Sequence, residues 1–154
     1  MSIEIYVFSD RQLTTIEDWQ QALDRRGAPL RLSVTRPFAE LSGALPAVLR
    51  DRPTAFECDH FDAGELMDET EDVVFDHRWR YVLAFRWGGD LAASEAGYLA
   101  AAAYADATGG CILDGEEGAL ITPDRATEIA DELKNSGPMI AEVIRRAQQR
   151  FGQP

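Results

Sequence analysis

The hydrophobic positions of this chain switch between two periods, and each switch marks an element. Ile3, Ile5 and Val7 alternate with Glu4 and Tyr6, so the chain opens on a strand. Thr14 followed by Glu17 fits a capping box, in which two side chains satisfy the first free amides of a helix. Ile16, Trp19, Ala22 and Leu23 then give one apolar helical face, closed at Gly27. Leu30, Leu32 and Val34 face one way on a second strand. From Thr35 to Leu49 the pattern is helical in part, but Gly43 and Pro46 divide it, because proline cannot continue a hydrogen-bond ladder. Two short turns are expected there. Thr54 to Phe61 reads as a third strand.

The stretch from Tyr81 to Gly118 carries the densest pattern. His77, Trp79, Tyr81, Leu83, Phe85 and Trp87 fall on one strand face, and Arg78, Arg80, Val82, Ala84 and Arg86 on the other. Gly88 and Gly89 break the strand, and Asp90 is suited to cap a helix running to about Thr108. Ala93, Gly97, Ala101 and Ala105 recur every fourth position, a stripe that lets another backbone approach closely. Gly109 and Gly110 end the helix, and Cys111 to Leu113 form a short apolar strand. Strand, helix, strand suggests a crossover onto a sheet.

After a turn at Asp114 to Gly118 and a short strand at Ala119 to Ile121, Thr122 and Pro123 start a helix with Ala126, Ile129, Ala130 and Leu133 on its face. Asn135, Ser136 and Gly137 are expected to end it, and Pro138 to begin a last helix. That helix would have Ile140, Val143, Ile144, Ala147 and Phe151 on its apolar side, and Arg145, Arg146 and Arg150 on its polar side. With no internal repeat, low-complexity tract or linker, 154 residues make a single domain, 1–154. The order of elements implies an α+β (or α/β) fold: a single mixed β-sheet of about five strands with helices packed on it.

Charge changes the picture more than composition does. The chain carries 27 acidic and 15 basic residues, a net charge of −12. Nucleic acid and anionic membrane both require clustered positive charge, so neither is expected as a partner. No basic segment followed by an apolar run opens the chain, and no apolar stretch is long enough for a membrane helix, which makes the cytoplasm the default location. From Glu57 to Asp76 nine acidic residues occur with no Lys or Arg: Glu57, Asp59, Asp62, Glu65, Asp68, Glu69, Glu71, Asp72 and Asp76. Ala63 to Asp72 should be an exposed loop or short helix.

Candidate chemistry is thin. Glu57-Cys58-Asp59-His60 contains the ligand types of a transition metal, but strand alternation would send neighbours to opposite faces. The plainer reading buries Phe56 and Cys58 and solvates the charges. Cys58 with His60 or His77 could form a nucleophile–base pair, yet an acidic neighbourhood raises a thiol pKa. Gly88-Gly89 before a helix invites a phosphate reading, which Asp90 and the absence of GxxxxGK[ST] or GxGxxG oppose. Two isolated cysteines make neither a disulfide framework nor a zinc site. Arg78, Arg80 and Arg86 could grip an anion, but pairing with the acidic stretch upstream explains them more simply. No catalytic residue, metal ligand or cofactor is therefore assigned.

A small, acidic, single-domain chain without a catalytic motif resembles, in general character, the immunity proteins that neutralise bacterial toxins. The segment FRWGGDLAASEAGYLAAAAYADATGGCILDGEEG is similar in layout to a group of small bacterial proteins. The resemblance implies a protein-binding module whose acidic surface covers a basic toxin domain. Asp59, Asp62, Glu65, Asp68, Glu69, Glu71 and Asp72 are the expected partner-binding residues. Two alternatives stand beside it: a small metal- or carboxylate-dependent enzyme around Glu57 to His60, and a ligand-binding regulatory domain using a Trp79/Trp87 face. The C-terminal apolar stripe offers a further partner, a second copy of the chain in a homodimer.

Overall fold

The computed structural model describes the backbone of residues 3–151 and the side chains of residues 3–136, 145 and 146. The described residues form one sheet of seven strands: β1 (Ile3–Ser9), β2 (Leu30–Leu32), β3 (Ala44–Leu49), β4 (Arg52–Phe61), β5 (Tyr81–Trp87), β6 (Cys111–Asp114) and β7 (Ala119–Ile121). Their order in space is β2-β3-β4-β5-β1-β6-β7. The helices are α1 (Ile16–Arg25), α2 (Ala63–Glu69), α3 (Leu91–Thr108) and α4 (Pro123–Phe151), with a 3-10 turn at Phe38–Glu40. This is an α+β fold, with two corrections to the expected sheet. It has seven strands rather than about five, and it is not mixed, because every pairing is antiparallel. The crossover through α3 exists, but β1 lies between β5 and β6 and pairs with both, so the crossover strands never pair with each other.

The additional strand is β3, which Pro46 hides in the sequence. Pro46 turns its carbonyl to the β2 side, where it accepts from the Ser33 N–H at 2.9 Å. Its missing N–H therefore faces past the end of the three-residue β2, and the ladder to β4 loses nothing. β3 and β4 are joined by Arg50 and Asp51, both at positive φ (47° and 71°). Side chains other than glycine reach that region at about 1–2 kcal/mol each. The turn places the Arg50 guanidinium on Glu95 of α3, at 2.5 and 2.8 Å. Glu95 is only 5% exposed, and a carboxylate so buried requires a partner.

Alternation divides the sheet into two faces. Ile5, Val7, Leu45, Phe56, Cys58, Leu83, Phe85 and Ile112 face the main core, covered by α1 and α3. Trp19 of α1 sits at its centre, edge-on to Phe38, Phe85 and Tyr104, with its indole N–H donating to the Ala100 carbonyl at 3.0 Å. α3 is buried nearly all round. A Cβ on Gly97 would lie 2.2 Å from the Trp87 ring, so the small-residue stripe is what lets the helix sit on the sheet. Asp90 accepts from the Ala92 N–H and Gly109 closes the helix at φ 70°, as the sequence implies.

Three boundaries differ from expectation. The α1 cap is Thr15, accepting from the Asp18 N–H, one residue beyond the expected Thr14. β5 begins at Tyr81 rather than His77. Asp10 accounts for this: its carboxylate takes the His77 ring at 2.7 Å and the Arg80 N–H at 3.2 Å, turning the chain off the sheet. α4 runs unbroken through Asn135, Gly137 and Pro138, where two helices were expected. A proline inside a helix costs about 3 kcal/mol but does not forbid it. Packing of α4 on α3, with Ala126 and Ala130 fully buried, offsets that cost. Among the described residues no helix is long and apolar enough to cross a membrane.

Candidate functional site

The second face of the sheet is covered only in part, and the acidic stretch is what covers it. Tyr6 and Phe8 of β1 make that cover necessary, since they are apolar on the face opposite Ile5 and Val7. Phe8, Val82 and Leu113 pack against Ala63 and Met67 of α2, and against Val73, Phe75 and Trp79 of the segment after it. Phe75 meets Phe8 edge-on at 5.0 Å. The result is a small satellite core with α2 as its lid.

Three of the seven expected partner-binding residues are committed to the fold, two of them, Asp62 and Asp68, at this lid. Asp59 accepts from the Ser42 hydroxyl at 3.2 Å and the Gly43 N–H at 3.0 Å, which pins the chain entering β3. Asp62 caps α2 by accepting from the Glu65 N–H at 2.9 Å. Asp68 forms a bidentate pair with Arg78, at 2.8 and 3.2 Å, and Arg78 also donates to the Gly64 carbonyl at 3.3 Å. The Arg78 guanidinium holds the Asp68 carboxyl below its ordinary value. Arg78 therefore pairs with the acidic stretch across α2, not across two strands. Arg86 does pair across strands, meeting Glu4 of β1 at 2.9 Å.

The other four, Glu65, Glu69, Glu71 and Asp72, are exposed, and none forms a salt bridge among the described residues. Glu69, Glu71 and Asp72 edge a groove of about 320 Å³ whose apolar lining includes Tyr6, Leu66, Val73 and Leu113. Gly115 and Gly118 of the β6–β7 turn line the same groove, and that turn carries Glu116 and Glu117. The turn is held by Asp114, which is buried, accepts from the Tyr98 hydroxyl at 3.2 Å and accepts from the Glu116 N–H at 2.9 Å. Burial, followed by the Asp114 charge, pushes the Tyr98 phenol up. Burial and the Glu4 carboxylate push Tyr6 up to about 12, so its hydroxyl is a donor to Glu4 at neutral pH. Val74, two residues after Asp72, is 89% exposed.

The groove thus joins an apolar lining to an acidic edge. Lysine and arginine side chains carry an apolar stem and a charged end, and this arrangement matches both. Sequence reasoning identified the edge and missed the lining. Leu66 and Val73 lie inside the acidic run, and Tyr6 with Phe8 marked β1 as apolar on both faces.

The remaining candidates are dispersed. Cys58 is fully buried on the main-core face, and burial, then the Asp59 charge, pushes its thiol far up, which keeps it from acting as a thiolate. Glu57 and Asp59 point to the opposite face, and the His60 ring lies 3.0 Å from the Phe38 carbonyl. His77 is taken by Asp10, away from Cys58. Among the described residues, no group of three or more His, Cys, Asp or Glu is placed to hold a metal ion. The expected Trp79/Trp87 face does not exist, because Trp87 belongs to the main core and Trp79 to the satellite core. The side chains of Ile140, Val143, Ile144, Ala147 and Phe151, the expected homodimer stripe, lie outside the described residues.

Comparison with known proteins gives no match: no family model, no curated protein and no solved structure is significantly similar to this chain.

Proposed function

We propose that this is a cytoplasmic protein-binding module, most specifically an immunity protein that neutralises a bacterial toxin by covering its basic surface. The observation that carries the reading is the groove beside α2, where Glu69, Glu71 and Asp72, which form no salt bridge among the described residues, border the apolar residues Tyr6, Leu66, Val73 and Leu113. Carboxylates without local cations keep their field available to a partner. In a chain of net charge −12 that field steers a basic protein into encounter. The apolar lining then supplies short-range contact once water is excluded. A toxin whose active site is cationic, as sites acting on phosphodiesters are, would be blocked by such a surface without any chemistry in the inhibitor.

The test is co-expression with the product of the neighbouring gene, followed by capture through that product. Replacing Glu65, Glu69, Glu71 and Asp72 together by Gln and Asn should slow association about 10-fold or more and flatten its dependence on salt. Asp68 stays unchanged in this variant, because removing it would disturb the pair with Arg78 that seats the lid. Association that is unchanged in rate and salt dependence would remove this surface from the interaction.

A further inference from the structure

A second cavity, of about 350 Å³, lies away from the acidic groove, between the β3–β4 turn, the start of α3 and the middle of α4. Its charge is opposite in sign to that of the chain. Arg50, Arg52 and Lys134 line it, and Lys134 is the only lysine in the protein. Glu95, the one acid lining it, is neutralised: both its oxygens are held by the Arg50 guanidinium, and its side chain is only 6% exposed. Arg52 and Lys134 form no salt bridge among the described residues, although 27 carboxylates are available to 15 cations. Leu49, Leu91 and Leu133 supply an apolar lining between them.

The turn reaches this arrangement through the left-handed backbone of Arg50 and Asp51, a conformation ordinarily left to glycine or asparagine. Arginine at the first of these positions fixes Glu95, and Arg52, the first residue of β4, is thereby set beside the cavity.

We infer that this cavity binds a small organic anion: a carboxylate held by Arg52 and Lys134, with a short aliphatic chain against Leu49, Leu91 and Leu133. The volume is at the lower end of small-molecule sites, which suits a chain of a few carbons. Arg50 takes no direct part, because its guanidinium is committed to Glu95. The site is independent of the partner-binding groove and stands or falls separately from it.

The test is titration of the full-length protein with hexanoate, followed by amide NMR. Hexanamide, its neutral isostere, and inorganic phosphate, an anion without an aliphatic chain, are titrated in parallel. Hexanoate should saturate with a Kd of about 1 mM or tighter and shift the amides of residues 49–52, 91–95 and 133–134. Hexanamide and phosphate should each bind about 10-fold more weakly, and Arg52→Gln or Lys134→Gln should weaken hexanoate by a similar factor. Both variants are at exposed positions, and an unchanged spectrum elsewhere confirms that they fold. Hexanoate shifts confined to other residues, equal affinity for hexanamide or phosphate, or unchanged affinity in both variants would overturn the assignment.

Discussion

The two faces of the sheet are built from the same strands and treated in opposite ways. The main face is buried under α1 and α3 and centred on Trp19, whose ring contacts join α1, the 3-10 turn, β5 and α3. The second face is covered only beside β5, β1 and β6, by a seven-residue helix and an irregular segment. Toward β3 and β4 it is open, with Ala44, Pro46, Ala55 and Glu57 exposed. The difference separates two jobs. One face sets the stability of the whole chain, and the other seats a small acidic lid whose own hold is modest.

That separation can be broken by experiment. Trp19→Ala should have the largest effect, lowering global stability by about 3–5 kcal/mol in chemical denaturation, because it empties the centre of the main core. Met67→Ala should cost less, about 2 kcal/mol, and the loss should be local. Limited proteolysis should then cut within residues 62–80 before the rest unfolds. If Met67→Ala instead lowered the global midpoint as far as Trp19→Ala, the two faces would be one cooperative unit.

Two pH effects sharpen the same contrast, and both concern the second face. Tyr6 has a pKa of about 12 in the folded protein against an ordinary 10.0, so the folded state holds its proton more tightly. Its contribution is intact below pH 10.0 and lost as pH rises through about 12, which tyrosinate absorbance and unfolding measured together would follow. A Tyr6→Phe variant should lose that pH dependence. The smallest effect belongs to Asp68, whose carboxyl is lowered from 3.8 by Arg78. The sign is reversed: its contribution is present above the ordinary aspartate value and lost as pH falls through the lowered one. Because the pair is fully exposed, Asp68→Asn should leave global unfolding near that of the parent and loosen only residues 70–80, as read by hydrogen exchange.

How much of this was legible depends on whether the signal was local. The unit from β5 to β6 could be read because its caps and its close packing are written in adjacent residues: Asp90, Gly97 and Gly109. β3 could not, because the acceptability of Pro46 depends on how short β2 is, a fact about a neighbouring strand. The continuity of α4 through Pro138 was hidden for a related reason, since packing on α3 outweighs a local penalty. The acidic edge of the groove was visible as a run of charge. Its lining was not, because Tyr6, Leu66, Val73 and Leu113 come from three separate segments that only the sheet order brings together. The division of the seven acids into Asp62 and Asp68, which fasten the lid, Asp59, which pins the chain entering β3, and the other four, which do neither, was equally invisible. Each fastening bond is to a particular donor that charge counting cannot name.

The place of β1 has a consequence for biosynthesis. β1 is flanked by β5 and β6, both later in the chain, and the second of these ends at Asp114. Until Asp114 has been synthesised, Ile3 to Ser9 lacks at least one of its two neighbours, and an edge of the strand stays unpaired. Nascent chains arrested before residue 111 should therefore depend on chaperones more than those released after Ile121, which hold all seven strands.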